Sequence, residues 1–263
     1  MDLGLENRVA VVMASTSGLG YAVAESLLAE GAKVAVSGRE PAKLHACLDS
    51  LASSAGGNVM GEPLDVTDGK ALKAHLVGVK ERWGSVDILI TNAGGPPAGL
   101  AADVTVEELD RGFELTLKSA IVAITTVLPW MREEQWGRII AMTSSSVRQP
   151  IDNLTMSNTM RAGLTGYIKT LSREVAREGI LVNSICTGMF MTGRLRELFQ
   201  LRSEKSGRTV EEEKLAMEAE IPLGRIGAPA EFGAMVAFMA SEKASFLNGV
   251  AMAYDGGATR HLL

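Results

Sequence analysis

The sequence predicts an α/β fold: a single doubly wound Rossmann-type domain with a parallel seven-stranded sheet and helices on both faces. Three observations lead to this prediction. Short apolar runs alternate with longer segments of helical period, glycine-containing turns join the two kinds of segment, and 263 residues suffice for one large core. A run that is apolar at every position is typical of a parallel strand buried on both faces. Strands that alternate with helices in this way indicate a doubly wound sheet.

Seven apolar runs are predicted to form the strands, at residues 9–14, 33–37, 59–64, 86–91, 137–143, 180–186 and 249–254. The helices predicted between them are 21–30, 41–53, 68–83, 105–132, 153–178 and 229–241. Local signals mark three of these boundaries. Gly31 ends the first helix, Pro41 suits the first turn of the second, and a capping box of Thr105 and Glu108 begins the fourth.

Composition restricts the class of protein. Apolar residues make up 46% of the chain and charged residues 22%, which is typical of a globular domain spanning 1–263. The net charge of −5 and the lack of a basic cluster argue against nucleic-acid binding. The charged amino-terminal residues and the short apolar run at 9–14 argue against a signal peptide and a membrane partner, so we expect a cytoplasmic protein. Cys47 and Cys186 lack metal-ligand spacing, and we expect no metal site.

One segment interrupts the alternation of strands and helices. Residues 192–220 are dense in Arg, Lys and Glu and have few apolar anchors, which favours one or two surface helices. Open α/β sheets bind ligands at the carboxyl ends of their strands, and this segment follows the sixth strand. We therefore expect 187–221 to form a substrate lid; the alternative is a solvated excursion without a role in binding.

A glycine turn after the first strand is the candidate nucleotide site. Glycines allow a diphosphate to approach the backbone, and a helix amino terminus supplies free N–H groups and a positive dipole end. The dinucleotide pattern G-x-G-x-x-G/A is incomplete here because its sixth position is Val23. The candidate cofactor-binding residues in this turn are Ser15, Ser17, Gly18, Leu19 and Gly20.

The end of the second strand indicates which cofactor binds. A carboxylate at this position would bind the ribose 2′-hydroxyl and repel a 2′-phosphate. This chain has Gly38 there, followed by Arg39, whose guanidinium can bind a phosphate through two hydrogen bonds. The sequence therefore favours NADP(H), while NAD(H) remains possible if Arg39 is an ordinary solvated charge.

The ordered set of motifs resembles that of the short-chain dehydrogenase/reductase family, especially its 3-oxoacyl-acyl-carrier-protein-reductase-like members. The opening Thr-Gly-x-x-x-Gly-x-Gly of that family corresponds to residues 13–20, with Ala14 in place of the first Gly. The family's Asn-Ala-Gly, Pro-Gly-x-x-x-Thr and closing Asp-Gly-Gly motifs correspond to residues 92–94, 187–192 (with the Pro lost) and 255–257. The resemblance covers nearly the whole chain. It implies further cofactor-binding residues, namely Asp65, Val66, Asn92, Ala93, Gly94, Gly188 and Thr192.

The same resemblance implies four catalytic positions. In the family, a Tyr phenol donates the proton, a Lys ammonium lowers the pKa of that phenol and holds the nicotinamide ribose, a Ser polarises the carbonyl, and an Asn steadies a water relay. The Ser corresponds to Ser144, with Ser145 as a one-residue alternative. The other three positions differ: Thr116 stands for Asn, Ser157 for Tyr and Arg161 for Lys.

These substitutions change the chemistry but keep the spacing. Ser157 and Arg161 are four residues apart, so they share one helix face. An aliphatic hydroxyl is a far weaker acid than a phenol, and a guanidinium stays protonated. None of the three tyrosines or three histidines of the chain is predicted to replace the missing acid. Losing a placed general acid lowers the rate by about 10²- to 10⁴-fold, which weakens the family reaction without abolishing it.

Arg161 has three interpretations at this stage. It holds the ribose hydroxyls as the family's Lys does, or it clamps a substrate carboxylate or phosphate, or it forms a structural ion pair at a contact between subunits. The resemblance implies a homo-oligomer, a dimer or tetramer built on the two long helices. Apolar positions of the second long helix suit such a contact, but they suit packing on the sheet equally well: Leu164, Ile168, Leu171 and Val175.

The leading hypothesis is an NADP(H)-dependent short-chain-type oxidoreductase that interconverts a carbonyl and an alcohol on a small-molecule or acyl substrate. In this hypothesis Ser144 polarises the oxygen, Arg161 anchors ribose or substrate, and water or Ser157 relays the proton. The alternative is an NADP(H)-binding sensor or scaffold with a degenerate active site. A third possibility is an enzyme that uses the fold for dehydration or isomerisation.

Overall fold

The computed structural model describes residues 1–55 and 58–262. Its centre is a seven-stranded sheet in the order β3-β2-β1-β4-β5-β6-β7, and every pair of neighbours is parallel. The predicted fold class is thereby confirmed. The strands are β1 (Val9–Val12), β2 (Lys33–Gly38), β3 (Val59–Pro63), β4 (Ile88–Thr91), β5 (Gly137–Ser144), β6 (Ile180–Thr187) and β7 (Ala251–Tyr254). The predicted domain, 1–263, includes residues 56, 57 and 263, which lie outside the described residues.

Helices cover both faces of this sheet. They are α1 (Gly18–Ala29), α2 (Pro41–Ala55), α3 (Gly69–Trp83), α4 (Val106–Gly112), α5 (Ser119–Glu134), α6 (Thr155–Val175), α7 (Gly193–Ser206), α8 (Val210–Ala219) and α9 (Pro229–Ala240). Helices α3, α5 and α6 pack on one face of the sheet, and α1, α2 and α9 pack on the other. The sheet is therefore apolar on both faces, which explains its continuously apolar strands.

The fourth predicted helix is not uniform. The segment 105–132 begins at the expected capping box, in which Thr105 Oγ1 accepts from Glu108 N at 3.2 Å. Between α4 and α5 it forms a π-helix, Phe113–Lys118, which includes Thr116. Such wide turns are common at functional sites, and the apolar period alone did not reveal this one.

The apolar positions predicted on α6 pack on the sheet. Leu164, Ile168, Leu171 and Val175 are all buried within this chain and belong to the core beneath α5 and α6. Of the two roles considered for them, burial against the sheet is therefore the one observed. They are not available for a contact between subunits.

The segment after β6 forms the two surface helices that its composition predicted. Helices α7 and α8 pack on each other through a separate small core of Leu195, Phe199, Met217, Ile221 and Ile226. This core does not merge with the two cores of the sheet. Helices α7 and α8 therefore form a unit packed mainly on itself, and the lid role of 187–221 stays a prediction.

One stretch, Val106–Glu134, is long and apolar enough to cross a membrane by length and composition alone. In its most apolar window, 44% of the residues are buried inside the protein. Ala123, Ile124 and Val127 of this stretch are fully buried in the core of the sheet. This packing is typical of a core helix.

Candidate active site

The order of the strands reverses between β1 and β4, and this switch point opens a crevice at the carboxyl edge of the sheet. The glycine turn follows β1, and Asn92-Ala93-Gly94 follows β4. One hydrogen bond joins the two segments, because Asn92 Nδ2 donates to the carbonyl of Ala14 at 3.0 Å. The crevice is thus bounded by the residues that the sequence assigned to the cofactor.

Two glycines of the turn cannot easily be replaced, Gly20 because of close packing and Gly18 because of its left-handed backbone. A Cβ on Gly20 would stand 2.8 Å from Ala14 O and 2.9 Å from Asn92 Nδ2. Gly18 has φ +61, and its Cβ position faces Thr192 at 3.6 Å. The turn, the Asn92 loop and the start of α7 therefore meet around the amino end of α1.

The predicted residues of this turn differ in what their side chains do. The Ser15 hydroxyl is fully buried, donates to Val12 O at 2.6 Å and accepts from Ser37 N at 3.3 Å, so it holds the turn itself. Leu19 packs against the core beside α1. Ser17 is exposed and does not cap the helix that it precedes. The first N–H groups of α1 are therefore available to a ligand.

Ala14 occupies the position of the family's first glycine with a left-handed backbone, φ 48. A non-glycine residue in this region carries a steric cost of about 1–2 kcal/mol. The turn therefore keeps its glycine conformation although the residue has changed. The strain also explains why β1 ends at Val12, two residues before the sequence predicted.

The residues predicted to select the cofactor lie together at the adenine end of the crevice. A Cβ on Gly38 would stand 2.5 Å from the methyl group of Thr16, so the second strand and the glycine turn touch here. Asp65 accepts from Thr67 N at 3.0 Å and from Thr67 Oγ1 at 2.8 Å, and these bonds together with the nearby charge of Arg39 lower the pKa of its carboxyl group. Val66 is buried in the core. Thr16 was not among the residues predicted from the sequence, although its position inside the glycine turn could have indicated it.

At the other side of the crevice, Ser144 is the last residue of β5. It is partly exposed, whereas Ser145 is buried. The Ser144 hydroxyl accepts from Ser146 N at 3.1 Å, which fixes its oxygen at the strand end. Of the two serines considered, Ser144 is therefore the more exposed, and its catalytic role stays a prediction.

Arg161 and Ser157 lie on α6 beside this strand. Arg161 Nη1 donates to the carbonyl of Met142 at 2.9 Å, two residues before Ser144. Burial and the charge of Arg194 lower the pKa of Arg161 to about 10, so its guanidinium remains protonated at neutral pH. Ser157 is buried, and its hydroxyl makes no hydrogen bond with the part of the chain that the structure describes. Arg161 therefore lies against the strand that ends at Ser144, and the catalytic roles of both side chains stay predictions.

A small cavity lies under the crevice. Its volume is about 10 Å³, room for roughly one water. Two of its lining hydroxyls, Thr91 Oγ1 and Thr116 Oγ1, are buried without a partner in residues 1–55 and 58–262. Arg161 and Asn92 line the same cavity. Thr116 therefore faces Arg161 from the π-helix, at the position where the family resemblance places an amide.

Helix α7 brings in an arginine that the sequence did not single out. A Cβ on Gly95 would stand 2.9 Å from Nη1 of Arg194, so this side chain crosses from α7 to the loop after β4. The position of Arg194, two residues after Thr192, was the only sequence signal. Gly188 lies at the base of the same segment, where its Cβ would stand 2.5 Å from Asp255 Cα.

The tyrosines are placed away from the catalytic positions. Tyr254 Oη donates to Glu231 O at 3.2 Å, and Tyr21 Oη lies 2.8 Å from Ser50 Oγ. Tyr167 packs against the core beneath α5 and α6. The prediction that no tyrosine replaces Ser157 therefore agrees with the positions of all three.

The architecture and the crevice define the protein as a dinucleotide-binding α/β protein, and comparison with known proteins defines its family. The profile of the enoyl-(acyl carrier protein) reductase family matches residues 13–259. The 3-oxoacyl-acyl-carrier-protein reductase of Salmonella typhimurium is 32% identical over 259 residues, which is 97% of this chain and 98% of that protein. The D-beta-hydroxybutyrate dehydrogenase of Rhizobium meliloti is 30% identical and covers 96% of this chain and 98% of its own length.

Solved structures agree with this assignment. The L-sorbose reductase of Gluconobacter frateurii, complexed with NADPH and L-sorbose, has a TM-score of 0.96 at 29% identity and covers 100% of both chains. An actinorhodin polyketide ketoreductase with NADPH has a TM-score of 0.91 at 30% identity, over 97% of this chain and 98% of its own. The chain therefore belongs to the short-chain dehydrogenase/reductase family of oxidoreductases.

Proposed function

We propose that this protein is an NADP(H)-dependent reductase of carbonyl compounds whose proton transfer does not use a tyrosine. The observation that carries the proposal is the crevice itself, which joins a close-packed glycine turn to the Ser144–Arg161 pair. The NADPH complexes of the sorbose reductase and the polyketide ketoreductase support the choice of cofactor. The curated relatives named as a reductase and a dehydrogenase support carbonyl–alcohol chemistry.

The residues at the nucleotide end fit the cofactor. The uncapped amino end of α1, with Gly18 and Gly20, suits a diphosphate because its N–H groups are free and no side chain blocks the backbone. Arg39 and Thr16 would hold the 2′-phosphate, and Asp65 with Val66 would border the adenine. Ser15 and Leu19 would support the turn, and Ser17 would lie at its exposed side. The nicotinamide half of the cofactor would be bordered by Asn92, Ala93, Gly94, Gly188 and Thr192.

At the catalytic end, bound NADPH supplies a hydride to the carbonyl carbon, and the carbonyl oxygen gains a proton as the alcohol forms. The Ser144 hydroxyl would donate a hydrogen bond to that oxygen. The Arg161 guanidinium would stabilise the negative charge that develops there, since it stays protonated. A water held by the Thr91 and Thr116 hydroxyls, or the Ser157 hydroxyl, would deliver the proton.

We further propose that helices α7 and α8, within residues 187–221, close over a small-molecule or acyl substrate. Their separate core supports this role. A homo-oligomer, dimer or tetramer, is the assembly implied by the family resemblance. Its contact would use surfaces other than the α6 positions packed on the sheet. A cytoplasmic location stays a prediction from composition.

The test has two stages. Fluorescence titration with NADPH measures binding, and NADPH consumption over a panel of ketones and β-ketoacyl thioesters measures turnover. We expect NADPH to bind and at least one carbonyl compound to be reduced. Ser144→Ala should lower the rate at least tenfold while leaving the NADPH affinity unchanged. Failure of NADPH to bind would overturn the proposal.

The second candidate function is a non-catalytic NADP(H)-binding protein. It is favoured by one observation, the absence of a phenol and an ammonium at the catalytic positions occupied by Ser157 and Arg161. NADPH binding without consumption of NADPH across the whole panel would support this candidate over the reductase.

A further inference from the structure

Two arginine side chains extend toward the same side of the crevice from different helices. Arg161 reaches up from α6, held by its bond to Met142 O, and Arg194 reaches down from α7 to Gly95. They are close enough that the charge of Arg194 lowers the pKa of Arg161. Neither forms an ion pair with a carboxylate among residues 1–55 and 58–262. A mostly buried cation, Arg161, and an exposed one, Arg194, thus lie near each other without an acidic partner in the described chain.

Such an arrangement has an energetic cost. A mostly buried cation without a counter-ion loses hydration, and a second cation beside it adds repulsion. Only one Arg161 N–H group is used within the described chain, in the bond that fixes the guanidinium plane. The Arg161 guanidinium is planar, is held in place and has unused N–H donors. It therefore matches a carboxylate, which accepts two parallel hydrogen bonds.

The buried hydroxyls beside Arg161 indicate a water rather than a larger ligand. Thr91 Oγ1 and Thr116 Oγ1 are more than nine-tenths buried and lack a partner in the described chain, and both face the cavity that Arg161 lines. Buried polar groups are almost always satisfied in folded proteins. One water in this cavity of about 10 Å³ would satisfy both hydroxyls, which leaves the unused N–H groups of Arg161 for an anion in the crevice.

The cofactor's diphosphate is the other source of negative charge, but its expected place is different. It binds at the amino end of α1, where Gly18 faces Thr192. Arg161 lies at the far end of the crevice, bonded to β5 beside Ser144. An anion that touches both arginines would lie next to the serine, where the carbonyl group of the substrate is expected.

We propose that Arg161 and Arg194 form a binding site for a carboxylate of the substrate, and that the substrates are oxo acids. The proposal rests on the carbonyl chemistry proposed above. Arg161 holds the carboxylate from the floor of the crevice, and Arg194 holds it from the lid. Binding of the substrate then offsets the repulsion between the arginines and keeps α7 closed.

The test measures binding rather than turnover, so that it does not depend on the reduction. Protein loaded with NADP⁺ is titrated by calorimetry with acetoacetate and with levulinate, each compared with its neutral methyl ester. Each ester keeps the ketone and loses the charge. We expect at least one acid to bind about tenfold more tightly than its ester, as a hydrogen-bonded charge requires.

Variants of the lid locate the effect. Arg194→Gln should remove most of the preference for the acid, and Arg194→Lys should keep part of it because the charge remains. Arg196→Gln is the matched control, since Arg196 is exposed on the same helix two residues further along, on a different face. It should leave the preference unchanged.

Two results would overturn the proposal. One is equal binding of acid and ester for both pairs. The other is an Arg194→Gln variant that weakens NADP⁺ binding itself but keeps the ratio of acid to ester, because the arginines would then serve the cofactor's diphosphate. A protein that binds the acids but oxidises no NADPH would instead contradict the proposed reductase and leave the anion site intact.

Discussion

The two ends of the crevice are built in different ways. At the nucleotide end, glycine backbone lies directly against its neighbours: Gly20 faces the carbonyl of Ala14, and Gly38 lies against the Thr16 side chain. At the catalytic end, contacts are made by side chains on rigid elements, with Ser144 at a strand end and Arg161 on a long helix. A site made of backbone changes only if the chain path changes. A site made of side chains can be altered residue by residue while the fold stays the same.

This difference explains where the chain departs from its family. Glycines and short turns persist at the nucleotide end, and the one altered glycine position, Ala14, keeps a left-handed backbone. At the catalytic end, the family resemblance predicts that Ser157 and Arg161 stand where the family has Tyr and Lys, and Arg161 bonds to β5.

The variant with the largest expected effect restores the side chains that the family has at the two catalytic positions. Ser157→Tyr together with Arg161→Lys would place a phenol and an ammonium on the same helix face, in a backbone that is otherwise unaltered. We expect the rate of carbonyl reduction near neutral pH to rise by about 10²-fold or more, because a general acid contributes about 10²–10⁴-fold. Steady-state NADPH consumption on the best substrate of the panel measures the change.

Arg161→Lys alone is the control, since it changes the cation without adding an acid. Its rate should not rise above that of the unaltered protein, because lysine keeps the charge but loses the planar fork of donors. If the double variant folds and binds NADPH but gains no rate, then the chain's own proton relay is not limiting. The two ends of the crevice would then differ in residue type, without an effect of that difference on the reaction rate.

The second prediction tests the close packing at the nucleotide end of the crevice. Gly20→Ala would drive a methyl group to within 3 Å of Ala14 O, Asn92 Nδ2 and Ser15 Cα. Because these neighbours include backbone atoms that cannot step aside, we expect a loss of about 2–3 kcal/mol in the free energy of unfolding and at least tenfold weaker NADPH binding. Urea denaturation and fluorescence titration measure the two effects.

Gly78→Ala is the matched control, because a Cβ on Gly78 in α3 meets nothing within 4 Å. Alanine has the higher helix propensity, so this variant should be more stable by about 0.5–1 kcal/mol. Equal behaviour of the two variants would mean that close packing does not constrain the nucleotide turn.

The same contrast decides what the sequence could predict. The sheet, its helices and the glycine turn follow from apolar period and turn residues, which act locally and leave a pattern in the sequence. The π-helix around Thr116 has no such pattern, since its residues keep a helical period. Arg194 was missed because its contact with Gly95 joins residues far apart in the chain, and only tertiary structure brings them together.

The third prediction concerns cofactor choice. Arg39→Gln removes an exposed charge beside Asp65 without removing any packed group. We expect NADPH to bind about tenfold more weakly and NADH to bind as before, because only NADPH has a phosphate for the guanidinium. Parallel titrations with both cofactors measure the ratio. A similar loss for both would show that Arg39 acts on the adenine region in general.

The smallest effect is expected at Ala14, the residue of the nucleotide end that stands where the family has a glycine. Its left-handed φ of 48 costs about 1–2 kcal/mol for alanine and almost nothing for glycine. The greater freedom of glycine in the unfolded chain offsets about 0.5–1 kcal/mol of this gain. Ala14→Gly should therefore raise the free energy of unfolding by up to about 1 kcal/mol, as measured by urea denaturation. NADPH affinity should stay within about twofold, because the turn already has the glycine conformation; a large change in affinity would show that the Ala14 methyl group itself shapes the nucleotide end.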